Sequence, residues 1–180
     1  MLREFLEHRN ELFSRFIPSE AANAEQASRL IARSFESDGK LYICGGGLSS
    51  HFVRYIAALF NHHYAGNRPS LPAIALDSTS LCNDDNIFTR QLSALITDKD
   101  ILFGVAARPP YEPLQNAFRS ASDNGAKNIA LIGSGGNRLK NLCDVFIEAN
   151  LKNYLDIQEI HIFFLHAVCE MVGALMFRQV

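Results

Sequence analysis

Several residue types that would point to a particular function are scarce in this chain. It contains no tryptophan, three methionines and four cysteines in 180 residues, and its formal net charge is −2. The cysteines have neither C-x-x-C spacing nor a paired rhythm, which argues against a disulfide framework and a zinc site. The lack of a basic field disfavours direct nucleic-acid binding. We therefore expect buried thiols in a reducing cytoplasm, and no metal or cofactor.

Long apolar runs are also missing. The sequence has no uninterrupted apolar stretch of about 18 residues, and its N-terminus, MLREFLEHRNELFSRF, is charged and amphipathic. We therefore expect no signal peptide, no membrane span and a cytoplasmic location. With 48% hydrophobic and 20% charged residues, residues 1–180 should form one globular domain.

The apolar periodicity divides the chain into two parts. Within residues 1–36, apolar residues at three- and four-residue intervals predict two helices with a break near Ile17-Pro18. Residues 37–180 alternate short apolar runs with helical segments. The five runs are KLYIC, PAIAL, DILFGVA, KNIALIG and DVFIEA, and helices are expected from Ser49, about Asp85, Glu112, Asn137 and about Leu155, the last reaching Phe177. Continuous apolar strands predict a five-stranded parallel sheet covered on both faces, an α/β three-layer αβα sandwich.

Both ends of the chain carry more apolar residues than one buried stripe requires. The first helix has a wide stripe, and the last contains IHIFFLHAVCEMVGALMF. We expect these helices to contact other subunits, so residues 1–36 are predicted to be oligomerisation helices.

The loops after the strands are the places to look for a ligand, because anions bind at the carboxyl edge of such sheets. The first loop contains Gly45, Gly46, Gly47, Ser49 and Ser50, where glycines allow close backbone approach and the serines could cap a helix or hold a phosphate. It lacks the third glycine of G-x-G-x-x-G and the lysine of a P-loop, so a nucleotide site is not expected.

Other candidate residues have simpler structural readings. After the fourth strand, Ser134 to Asn137 could be a phosphate loop, but a turn with Asn137 as a helix N-cap is the simpler account. The pair Asp84-Asp85 is read as a helix cap. His62 and His63 are adjacent and would point about 100° apart on a helix, which disfavours a shared metal ion.

Three stretches carry a family resemblance. The runs YICGGGLSS, NRPSLPAIAL and DIQEIHI, in this order, resemble the sugar isomerase (SIS) domains of the phosphoheptose isomerase family. The resemblance implies the SIS fold, which is flavodoxin-like, and an active site that isomerises sedoheptulose 7-phosphate with a glutamate base and a second acid/base group.

The catalytic groups that the resemblance implies are only partly present. The glutamate position falls on Leu59, and a family histidine one turn earlier falls on Tyr55. The resemblance places the second acid/base at His161, with Gln158 one turn before it, as remnants expected to be inactive. Neither leucine nor tyrosine can replace a carboxylate base at neutral pH.

The phosphate pocket is altered too. Where the family carries a hydroxyl-rich turn, this chain has Ala106-Ala107-Arg108-Pro109-Pro110-Tyr111, and prolines have no N–H to donate. Arg108 could still bind an anion as a charged fork. Asp77 and Ser78 complete the predicted ligand-binding set, although their loop is shorter than the family's.

Two functions follow from the resemblance. A non-catalytic branch of the family lacks the same glutamate and forms homotetrameric scaffolds that bind the N-terminal domain of DnaA and regulate replication initiation. In that branch a pair near the end of the last helix contributes to the contact, and it corresponds here to Met176 and Phe177. The alternative is a phosphosugar-binding protein, or an isomerase in which Asp77 or Asp84 replaces the lost base.

Overall fold

The computed structural model describes residues 1–62, 68–76 and 84–177. Within these residues, helices and strands alternate after one long N-terminal helix. The elements are α1 Leu2–Glu36, β1 Leu41–Gly45, α2 Ser49–Asn61, β2 Ala73–Ala75, α3 Ile87–Leu92, β3 Ile101–Ala106, α4 Glu112–Asp123, β4 Lys127–Gly133, α5 Asn137–Lys140, β5 Val145–Ala149 and α6 Tyr154–Phe177.

The five strands form a single parallel sheet in the order β2-β1-β3-β4-β5. This is the flavodoxin-like order, in which the direction of winding reverses beside β1 and β3. Strand residues are buried almost throughout, as expected for a sheet covered on both faces. The α/β sandwich predicted from the sequence is confirmed.

Two apolar clusters fill the space between the layers. The larger cluster packs α1, α2 and α6 against one face of the sheet, and the smaller packs α3, α4 and α5 against the other. Gly104 in β3 is required by this packing, because a Cβ atom there would lie 2.5 Å from the ring of Phe118 in α4.

The prediction of two N-terminal helices is wrong, because α1 continues without a break and includes Pro18. A proline inside a helix removes a backbone hydrogen bond and costs about 3 kcal/mol. Packing of α1 against α6 and β5 outweighs that cost. Most of the buried residues of α1 follow Pro18, including Ala24, Ala27, Ile31 and Phe35, so the second half of α1 belongs to the core as well.

A cluster of charged side chains joins the first half of α1 to the start of α6. Arg9 forms ion pairs with Asp156, at 2.9 Å, and with Glu159. His8 Nε2 lies 2.9 Å from the other carboxylate oxygen of Asp156. The side chains of Arg9 and Asp156 are only 13% and 7% exposed. We call these four residues the α1–α6 ion cluster.

Among the described helices, α6 is the one whose length and composition would suffice to cross a membrane. Its mean hydropathy over the most apolar window is 1.8, and 39% of that window is buried inside the protein. Core helices of soluble proteins meet the same criterion, and α6 contributes residues from Ile157 to Val172 to the larger core cluster.

Candidate functional site

The glycine loop after β1 lies at the carboxyl edge of the sheet. The N–H of Gly46 donates to the carbonyl of Val105, at 3.0 Å, which fixes the loop beside β3. Gly45 sits where a Cβ atom would come within 2.6 Å of Val53 in α2. Gly47 has a φ of 58° and open space on its Cβ side, so this backbone conformation favours glycine. The loop is therefore a tight strand–helix turn with one side open.

Neither serine of this loop caps α2. The helix starts at Ser49 after Leu48, and no side chain makes a capping hydrogen bond. The Ser49 hydroxyl is buried without a hydrogen-bond partner among the described residues, and Ser50 is half-buried. The capping alternative for these serines is wrong, and neither hydroxyl makes a hydrogen bond within the described part of the chain.

The altered turn after β3 is held by two aromatic contacts. The Arg108 side chain, on an exposed residue, stacks over the ring of Tyr154 with its central carbon 4.8 Å from the ring centroid. The Tyr111 hydroxyl donates to the carbonyl of Ser134, at 3.0 Å. Burial, with a smaller contribution from the charge of Glu148, raises the pKa of Tyr111 to about 12, so the phenol stays protonated as a donor. The turn is thereby joined to the loop after β4 and to the first residue of α6.

The turn after β4 is packed closely against β3. A Cβ atom on Gly133 would lie 2.0 Å from the carbonyl oxygen of Ala107, so only glycine fits there. The N–H of Gly135 donates to a Glu148 carboxylate oxygen at 3.2 Å. The N-cap of α5 is Gly136, and Asn137 is already helical, so the prediction of Asn137 as N-cap is wrong. The Gly135–Gly136 turn leads directly into α5, so Gly136 occupies the N-cap position that we had predicted for Asn137.

The pair Asp84-Asp85, which we had read as a helix cap, lies before α3 but does not form its N-cap. An Asp84 carboxylate oxygen accepts the N–H of Asn86 at 2.9 Å, and Asp84 pairs with Arg90 at 2.9 Å. The N-cap of α3 is Asn86, and the helix starts at Ile87 rather than at about Asp85.

Gln158 is linked to the turn after β3 through the side chain of Tyr154. Its side-chain N–H donates to the Tyr154 hydroxyl, and Tyr154 in turn carries Arg108 on its ring. The Gln158 carbonyl oxygen is buried with no hydrogen-bond partner among the described residues. Arg108 and Gln158, both predicted as site residues, are thus connected through Tyr154, which we had not selected.

His161 lies in the interior of the protein and is fully buried. Burial lowers the pKa of His161 to about 4, a shift that the nearby Ile132 backbone offsets only in part. Neither ring nitrogen makes a hydrogen bond of good geometry within the described residues. At neutral pH His161 is an uncharged core residue, and its burial limits its contact with a substrate.

His166 in α6 contacts α2 at Tyr55, one of the two positions at which the resemblance implies a catalytic group. Its Nε2 lies 3.0 Å from the Tyr55 hydroxyl, and the two rings meet edge to face. Tyr55 is 46% exposed, so this pair is accessible to a ligand. Leu59, one turn further along α2, is partly buried against the larger core cluster. Sequence reasoning had instead selected the histidine closer to Gln158.

Arg68, the arginine of the N-R-P stretch, contacts the end of α2. The guanidinium donates to the carbonyls of Leu59 and Phe60, at 2.7 and 3.1 Å, at the end of α2. These carbonyls have no partner within the helix, so Arg68 closes its C-terminus.

Some predicted residues lie outside the described part of the chain. These are Asp77 and Ser78 of the ligand-binding set, together with His63, Asn67 and Cys82. Within the described residues, no group of three or more histidine, cysteine, aspartate or glutamate side chains could hold a metal ion.

The chain is similar to known proteins over most of its length. The SIS domain family matches residues 4–133. The phosphoheptose isomerase of Aliarcobacter butzleri is 31% identical over 96% of this chain and 95% of its own, and that of Synechocystis is 33% identical over 99% and 96%. The structure of a phosphoheptose isomerase from Francisella tularensis superposes with a TM-score of 0.86 at 27% identity, covering 95% of each chain.

Proposed function

The chain belongs to the SIS-domain phosphoheptose isomerase family, and within it we propose that this protein binds its partners or ligands without isomerising a sugar phosphate. The observation that carries this proposal is the pair of residues on α2. Leu59 cannot ionise and packs on the core, while the Tyr55 phenol is hydrogen-bonded to His166. Enolisation of a sugar requires a base beside the C–H bond, and α2 offers no carboxylate at these positions.

An assay with sedoheptulose 7-phosphate tests the loss of activity. We expect no turnover above the enzyme-free background under conditions in which the Aliarcobacter butzleri relative is active. Thermal shifts in the same samples would report binding without turnover. Turnover that is abolished in His166→Ala but kept in His161→Gln would contradict the proposal and support the isomerase alternative.

The partner that we propose is the N-terminal domain of DnaA, with a role in regulating chromosomal replication initiation. Leu59 at the position of the family glutamate, a loss that the resemblance also implies for the non-catalytic branch, supports this assignment. Met176 and Phe177 are half-buried against the larger core cluster, and Leu175 beside them is 50% exposed. The end of α6 therefore presents an apolar surface that a protein partner could cover.

Retention of the chain on immobilised DnaA N-terminal domain would test this partner. We expect wild-type chain to be retained, and Phe177→Ala to reduce the affinity about tenfold because an apolar contact is lost. Leu155→Ala is the matched control, since Leu155 is an exposed apolar residue at the opposite end of α6. Absence of retention, or equal losses in both variants, would exclude this contact.

A second candidate function is binding of a phosphosugar without turnover. Its support is Arg108, whose charged group is held on the Tyr154 ring at the carboxyl edge of the sheet. The adjoining buried Gln158 oxygen has no partner within the described residues, and it could accept a hydrogen bond from a sugar hydroxyl.

We further propose a cytoplasmic homotetramer with no direct contact to nucleic acid or membrane. The first turns of α1 expose Leu2, Phe5 and Leu6, at 72%, 49% and 52%. Three large apolar side chains on one exposed segment are typical of a surface that another subunit covers. Light scattering of the same samples used for DnaA retention would give the assembly's mass.

A further inference from the structure

The outer edge of β5 is an unpaired strand edge. β5 is the last strand of the sheet, and within the described residues it pairs only with β4. The backbone N–H and C=O groups on its other side therefore have no strand partner there. Such an edge is a ready template for an added strand unless the protein covers it.

A groove of about 400 Å³ runs beside this edge, between α1 and the segment that leads from α5 into β5. Its size falls within the range of about 300–1,000 Å³ found for ligand pockets. The polar and aromatic residues that line it include Glu20, Asn23, Lys140, Asp144, Phe146 and Glu148.

The lining of the groove is negative. Its charged residues are three carboxylates, on Glu20, Asp144 and Glu148, and one ammonium group, on Lys140. Asp144 is paired with Lys127 at 3.1 Å. The contacts of Glu20 and Glu148 to other groups involve neutral donors, the Asn23 amide at 2.8 Å and the Gly135 N–H at 3.2 Å. Glu20 and Glu148 therefore retain a charge that a cationic side chain of a partner could pair with.

We propose that the outer edge of β5 is a docking site for an extended, basic segment of a partner protein. The segment would lie in the groove as a sixth strand and pair with the backbone of Val145–Ala149. Because side chains alternate along a strand, lysines or arginines on one side would reach Glu20 on α1, and those on the other would reach Glu148. This site requires no residue of α2, so it does not depend on the proposed loss of isomerase activity.

A short synthetic peptide tests the backbone part of the proposal. The probe is a fluorescein-labelled six-residue peptide, Lys-Lys-Val-Val-Lys-Lys, which carries lysines on both sides of an extended strand, and its anisotropy is measured with the full chain. We expect saturable binding that weakens about tenfold or more when alternate amides are N-methylated, because these lose their hydrogen-bond donors. Equal binding of the methylated peptide would overturn strand addition.

A charge reversal tests the contribution of the carboxylates that line the groove. We expect Glu20→Lys to weaken binding of the same peptide about tenfold. The matched control is Glu25→Lys, which changes the charge equally on the same helix at a residue that pairs with Arg29 at 3.3 Å and lies outside the groove lining. Wild-type affinity in Glu20→Lys, or equal losses in both variants, would overturn the proposal. Circular dichroism confirms that α1 is retained in both.

Discussion

Replacing Arg9 with alanine is expected to lower the free energy of unfolding by about 3 kcal/mol. The reason is that Asp156, with a side chain only 7% exposed, loses its ion pair at 2.9 Å and remains as a buried carboxylate. Removing one partner of a buried pair costs about 3–5 kcal/mol, and the contact from His8 to Asp156 places the expected value at the lower end. Urea unfolding followed by circular dichroism measures this change.

The exposed pair of Arg29 with Glu25 provides the control for this experiment. Both side chains are more than half exposed and their atoms lie 3.3 Å apart, so Arg29→Ala should change the stability by less than about 0.5 kcal/mol. The double variant Arg9→Ala with Asp156→Asn should recover part of the loss, because the uncompensated charge is then removed. If Arg9→Ala were as stable as Arg29→Ala, the α1–α6 ion cluster would not hold the two helices together.

Acidification is expected to destabilise the protein through His161. The pKa of this residue is lowered to about 4 by burial, whereas the ordinary value is 6.5. The unfolded chain therefore takes up a proton below about pH 6.5, while the native state stays neutral until about pH 4. Above about pH 6.5 His161 is neutral in both states and does not lower the free energy of unfolding. About 2 kcal/mol of that free energy should be lost between pH 7 and pH 5.

Comparison with His161→Gln isolates this effect from other titrating groups. Glutamine has no charge change in this range, so the difference in urea midpoints between wild type and variant should depend on pH. The wild type should lose more stability than the variant between pH 7 and pH 5. Parallel losses in the two proteins would show that His161 is not buried as a neutral side chain in solution.

The sheet could be predicted from the sequence because its signal is local. A run such as KNIALIG is apolar throughout and bounded by turn residues, and it forms β4 from Lys127 to Gly133. The break expected at Pro18 could not be judged locally. Whether a helix continues through a proline depends on what both halves pack against, and here the partners are α6 and β5, far away in the sequence.

The place of the candidate site in the fold could be predicted from the sequence, but the contacts among its residues could not. Strand–helix alternation put the functional loops at the carboxyl edge, and the structure joins Arg108 to Gln158 there. The choice between His161 and His166 depends on how α6 is rotated against α2, and spacing along α6 carries no information about that rotation. The resemblance, which implies a family histidine at Tyr55, marked this position, but nothing in the sequence indicated that His166 would pair with it.

The hydrogen bonds from Arg68 to the end of α2 also bear on how such sequences should be sorted. An arginine that ends a helix is useful to an isomerase and to a protein without activity alike. The N-R-P stretch therefore indicates the fold and does not distinguish an isomerase from a protein without activity. Under the proposed function, the two α2 positions occupied here by Tyr55 and Leu59 are the ones to compare instead, because a glutamate in place of Leu59 would supply a base where this chain has a hydrocarbon.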